Sequence, residues 1–231
     1  MMDHKESQDL MFSMVRDKSI LKQDIFNNII LNFKVLKQVL KEVGDDLKDQ
    51  IKEVDDRVVV EYKETGEFEA QIRIAGDLLI FQMHSNVFRF DRNNTLWNTS
   101  YLNENENRGY CGIINIYNFL NDSFKYNRGN DLGYMVGRIF INHENHFMVQ
   151  GKRQLGFLYN DFINSVIDKD KLKSIIQSAI IYCLDFDLLV PKYDLVKEVS
   201  VKQINQINND QRLKTGKRLG FVFQSNSDNV E

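Results

Sequence analysis

Apolar residues at Phe26, Ile29, Phe33, Leu36, Leu40, Val43, Leu47 and Val54 recur at helical spacing, broken at Gln50, with Lys, Glu and Asp between them. The spacing predicts a helix from about Ile20 to Asp55, roughly 50 Å long at the usual rise per residue. Gly44 falls inside it, and its backbone freedom marks a place where the helix is expected to bend or split. The stripe has two uses: packing lengthwise on the chain's own sheet, or forming a homodimer through the helix Phe26 to Val54. Ile25, Ile30, Val39 and Ile51 widen it toward a globular face, which favours the first.

From Arg57 the period changes to two. Val58, Val60 and Tyr62 alternate with Val59, Glu61 and Lys63, and beyond the Glu64-Thr65-Gly66 turn Phe68, Ala70, Ile72 and Ile74 alternate with Glu67, Glu69, Gln71 and Arg73. These are strands with one wet and one buried face. Leu78 to Met83 and Val87 to Phe90 extend them to a predicted antiparallel meander. A polar stretch from Asp91 to Gly109 follows, carrying the chain's single tryptophan, Trp97; connections of that length are commonly functional. Tyr110 to Phe119 is apolar enough for a central strand. After a second polar connection, Asn121 to Leu132, two apolar runs flank Asn142-His143-Glu144-Asn145 as a hairpin.

Helical spacing returns from Phe157 to Ile167 and again from Leu172 to about Leu184, with Asp168 or Asp170 as the N-cap. A third helix is expected from Tyr193 to Ile207, and Phe221-Val222-Phe223 reads as a last edge strand. The fold class is therefore α+β: a long N-terminal helix, an antiparallel meander sheet of about six or seven strands, and two to three C-terminal helices packed on one face. Residues 1–231 read as one domain, with a lead at 1–19 and a tail at 225–231 expected to be flexible.

Composition adds limits. With 42% hydrophobic and 27% charged residues and a single proline, the chain can build a core without staples. A net charge of -3 offers no basic footprint, so nucleic acid is unsupported as a partner. Cys111 and Cys183 sit in unlike apolar contexts and read as buried free thiols. No run reaches the ~18 apolar residues of a membrane span, and the acidic start lacks a signal-peptide pattern. A cytoplasmic protein that does not engage membrane is expected, without a cofactor.

Three sets of residues carry candidate chemistry. His143 and His146, with His84 as a third member, suggest a metal site, but their spacing on a turn makes the side chains diverge, so no metal is expected. Glu61 and Lys63 stand two apart on one strand face, and with Asp77 form the kind of set that holds a divalent ion in a metal-dependent hydrolase or nuclease. The third set is cationic: Arg108, Arg128, Arg138, Lys152 and Arg153, interleaved with tyrosines and accompanied by Trp97, suits a planar anionic ligand or a partner's acidic strip. Gly151-Lys152-Arg153 is echoed at Gly216-Lys217-Arg218.

No nucleophile-elbow or zinc-cysteine pattern appears. The expectation is a non-enzymatic interaction or regulatory module, binding a protein or a small anionic ligand through its polar loops at Trp97, Arg108, Arg128, Arg138, Lys152 and Arg153. The alternative is the hydrolase using Glu61, Lys63 and Asp77.

Overall fold

A computed structural model describes residues 4–129 and 131–185, with 188–189, 198, 200–202 and 221–222 beyond them. One nearly continuous helical rod opens the fold. α1 (His4–Met14) runs through a π-helical turn, Val15–Ser19, into α2 (Ile20–Lys52). The lead expected to be flexible is thus helical from His4, although α1 buries none of its side chains. Nor does Gly44 interrupt α2. It is buried, and a Cβ there would stand 3.2 Å from Ile72 Cδ1, so the glycine lets helix and sheet approach.

The α2 stripe lies on the chain's own sheet. Ile25, Ile29, Phe33, Leu36, Val39, Leu40 and Val43 are all buried in the core, each contributing about 1.5–3 kcal/mol of transfer free energy. The residues that would have formed a dimer seam between Phe26 and Val54 are largely those buried here.

The sheet is antiparallel and seven-stranded: β1 (Val60–Gly66), β2 (Glu69–Ile74), β3 (Asp77–Met83), β4 (Phe88–Arg89), β5 (Tyr110–Leu120), β6 (Tyr134–Asn142) and β7 (Phe147–Gly151). Its order is β1-β2-β3-β5-β6-β7. The expected meander is modified at one point: β4 pairs with β5 instead of β3, at Phe88↔Cys111 and Arg89↔Tyr110, so β3 and β4 share one flank of the long central strand. Alternation then sorts the faces. Val60, Ile72, Phe81, Ile114, Ile139 and Val149 face the helices, whereas Glu61, Lys63, Gln71, Arg73, Gln82 and Arg138 face the other way.

α6 (Lys169–Leu184) joins α2 on the helix-bearing face, burying Leu172, Ile175, Ile176, Ala179, Ile180 and Cys183. Asp168 is its N-cap, accepting from the Lys171 N–H at 2.7 Å. The helix expected over Phe157 to Ile167 is only α5 (Gln154–Leu158); beyond it the chain runs along the edge of β7. There the Val149 N–H donates to the Tyr159 carbonyl (2.7 Å), the Phe147 N–H to Ser165 (3.0 Å), and the Ile167 N–H to Asn145 (2.9 Å). Buried Phe162 and Ile167 anchor this strap, so its apolar residues serve an edge cover and not a helix face.

Leu188–Leu189 and Phe221–Val222 form a two-stranded parallel pair, β8 and β9. The helix expected over Tyr193 to Ile207 lies mostly outside the described residues, as do the Gly216-Lys217-Arg218 echo and the tail.

Candidate functional site

The cationic set expected to form one site is spread over the fold. The 91–109 connection enters β5 at Tyr110, and the 121–132 connection leaves it after Leu120, so the eleven-residue strand holds them roughly 35 Å apart at the usual rise. Arg138 lies between them on the helix-free face, opposite Asn115 and Gln150. Lys152 and Arg153 follow Gly151 at the end of β7.

Most of these side chains have local partners. Trp97 is held by its own loop: its indole N–H donates to the Asp91 carbonyl (2.8 Å), its ring lies against Gly109, and Arg89 and Arg92 stand over it at 4.9 and 4.8 Å. The Glu106 carboxylate accepts from both arginines. The stretch is therefore a folded connection that contains α3 (Ser100–Glu104) and is held by its own side chains. Arg128 stacks on Tyr126 and lies 3.8 Å from Asp131, while Arg138 Nε donates to Met135 Sδ at 3.0 Å.

Arg153 pairs with Asp185 and stands over Tyr182. Its φ of 47° places it in left-handed backbone space that disfavours a side chain. The bracketing glycines are packing residues: a Cβ on Gly156 would meet the Gly151 carbonyl oxygen at 2.4 Å, and one on Gly151 would meet Leu155 Cβ at 2.7 Å.

The His-Glu-Asn-His turn is more connected than its spacing suggests. Asn142, fully buried, receives the N–H groups of Glu144 and His146 on its side-chain oxygen (2.9 Å each) and donates to Tyr101 Oη (2.9 Å) and the Arg108 carbonyl (3.2 Å). Glu144 accepts from Tyr101 Oη (2.7 Å) and Arg108 Nε (3.1 Å). From α2, Asn28 and Asn32 reach Asn145 Oδ1 at 3.0 and 2.8 Å. His146 stacks on Tyr101 and its Nδ1 contacts the Phe162 carbonyl.

Burial works against the Glu144 carboxylate, yet the Tyr101 and Arg108 hydrogen bonds outweigh it and hold its pKa below the ordinary range. Burial pushes the Tyr101 hydroxyl upward, so it remains a donor. These groups fasten the long connection to the hairpin and to α2. His84 is not among them. It bonds to Ile113 on the β3 flank of β5, while Asn142 pairs with Cys111 on the β6 flank. No group of three metal-ligating side chains occurs among the described residues.

Glu61 and Lys63 are likewise separated from Asp77. Val60 pairs with Ile74 and Ile74 with Asp77, which puts Asp77 on the helix-bearing face, where Asn118 Nδ2 donates to it at 3.2 Å. Glu61 and Lys63 point to the opposite face.

β1 is instead the wall between two clefts. On its helix side, a cleft of about 550 Å³ has an apolar floor of Ile30, Phe33, Tyr62 and Met83 and a rim of Lys34, Gln38 and Lys41 against Glu64 and Glu67. Lys37 closes one wall: its ammonium donates to Glu64 Oε1 (2.7 Å) and the Gly66 carbonyl (2.6 Å) and lies 5.2 Å from the Phe33 ring centroid, tying α2 to the β1–β2 hairpin. On the other side, a cleft of about 280 Å³ is lined by Glu61, Lys63, Arg73 and Lys125, with Leu78 and Phe124 as apolar wall. Three of these side chains are cationic and one is anionic, and none is in an ion pair among the described residues.

The alternation of Glu61, Tyr62, Lys63 and Glu64 already separates these two linings in the sequence. What one strand's pattern does not reveal is that α2 overhangs one side and Lys125 reaches the other. Comparison with protein-family models, with curated proteins and with solved structures finds no match to this chain.

Proposed function

We propose that the chain is a non-enzymatic interaction module that holds a segment of a protein partner in the cleft between α2 and β1. The supporting observation is the cleft itself: about 550 Å³, within the range of ligand-binding concavities, with an apolar floor and a charged rim. Apolar floor area supplies the driving force and the rim charges supply register and selectivity. A protein segment is favoured over a small anionic ligand because Arg108 and Arg128 stand beyond opposite ends of β5, away from Arg138, Lys152 and Arg153.

The test is selection of random peptides displayed on phage against the full chain and against Ile30→Glu, which places a charge on the half-buried cleft floor. Enrichment on the wild type, lost with Ile30→Glu while the melting temperature is retained, is the expected result. Enrichment no greater than on an unrelated control protein would end this reading.

A further inference from the structure

The two edges of the sheet are treated differently. β7 is sealed by the chain's own strap, which takes the Phe147 and Val149 N–H groups that β6 does not use. β1 ends the strand order on the other side, and no described strand pairs with its outer edge. The Val59 carbonyl accepts from the Ala75 N–H at 2.8 Å, which fixes the alternation: Val59, Glu61 and Lys63 direct their backbone groups toward β2. Val60, Tyr62 and Glu64 therefore direct N–H and C=O outward. Such an edge is a template for a further strand unless it is covered, and this one lies beside both clefts.

We infer that the partner segment binds as an added β-strand on β1, with apolar side chains toward the α2 cleft and acidic side chains toward Lys63, Arg73 and Lys125. This rests on the reading of the α2–β1 cleft as a protein-binding site and adds the mode and the chemistry of the partner.

An added strand alternates its side chains as β1 does. Those on the helix side enter the cleft floored by Ile30, Phe33, Tyr62 and Met83. Those on the other side stand next to Glu61 and Lys63 of β1, with Arg73 and Lys125 beyond them, so that the cleft as a whole sets three cations against one carboxylate. The segment that fits both sides alternates apolar with acidic residues. A basic segment would bring like charges together, which disfavours it. Main-chain hydrogen bonds to Val60, Tyr62 and Glu64 would provide affinity independent of sequence.

The probes are three synthetic peptides: alternating valine and glutamate, alternating valine and lysine, and the valine-glutamate peptide N-methylated at every second backbone nitrogen. Binding to the full chain is read by fluorescence anisotropy and by hydrogen exchange of the β1 amides. The valine-glutamate peptide is expected to bind roughly tenfold more tightly than its lysine counterpart. It should slow exchange at Val60, Tyr62 and Glu64 and lose about tenfold on N-methylation in the register that removes its edge donors.

Charge reversal at two exposed positions, Lys63→Glu with Lys125→Glu, should invert the preference between the two unmethylated peptides. Equal binding of the methylated and unmethylated peptides, or absence of protection along β1, would overturn the added strand. If phage-selected peptides need Ile30 yet leave the β1 amides unprotected, this inference fails while the cleft reading stands. If no peptide engages the cleft at all, both fail.

Discussion

Tyr101 donates its hydroxyl hydrogen to Glu144 Oε2 at 2.7 Å while accepting from the buried Asn142 amide at 2.9 Å, so one phenol joins the long connection before β5 to the turn between β6 and β7. Tyr101→Phe removes both bonds but keeps the ring stacked on His146. It leaves the Asn142 amide one partner short inside the protein, which costs about 1–3 kcal/mol. Urea denaturation should show that loss, and Asn142→Ala, which abolishes four contacts of a fully buried side chain, should cost more. A Tyr101→Phe variant as stable as the wild type would remove this connection from the account.

Glu144 also predicts a pH dependence. Its folded pKa is lowered, so the folded state binds its proton less readily than the unfolded chain does. The resulting stability is fully present above the ordinary glutamate value of about 4.3 and is lost as pH falls through the depressed folded value. Glu144→Gln should therefore flatten the acid limb of a melting-temperature profile, lowering stability near neutrality while converging with the wild type in acid. Parallel profiles would contradict this.

The glycines are predicted to differ sharply. Gly156→Ala would drive a methyl into the Gly151 carbonyl at 2.4 Å, a backbone atom that cannot rotate away, and should destabilise by roughly 2–3 kcal/mol. Gly66→Ala meets nothing within 4 Å and should change stability by no more than about 0.5 kcal/mol. Thermal denaturation of the two variants side by side checks the contrast.

Cys111 and Cys183 are both buried, and burial pushes the Cys111 thiol well above its ordinary pKa. Neither should react with iodoacetamide at neutral pH in the native protein, and both should react in denaturant. Mass spectrometry of the alkylated chain would count them, and rapid native labelling of Cys111 would contradict its burial.

The sequence carried the locally encoded features well. The period of two placed β1, β2 and β3 within a few residues, the stripe from Phe26 placed α2, and the pair Asp168 and Asp170 marked the start of α6, of which the structure uses Asp168 as the cap. Phe157 to Ile167 is not one helix because Phe162 and Ile167, although members of a helically spaced apolar set, are buried by sealing a sheet edge. Pairing of β4 with β5 instead of β3 was equally invisible, since nothing in Phe88-Arg89 specifies its neighbour.

The candidate residues divide along the same line. Side-chain alternation along one strand is a local property, so the separation of Glu61 and Lys63 from Tyr62 was fixed by the amino-acid order alone. Which distant groups meet is decided by strand order and register. The eleven residues of β5 keep the two polar connections apart, and the turn to β3 carries Asp77 to the face opposite Glu61. Asn142 likewise meets Tyr101 and Arg108 because β6 lies beside β5 in one register. By itself the sequence determined an α+β chain with a long helix and an alternating sheet. Only the tertiary structure left β1, among the described strands, without a neighbour on its outer side and set between an apolar-floored and a cationic cleft, because an edge is defined by the neighbours a strand lacks.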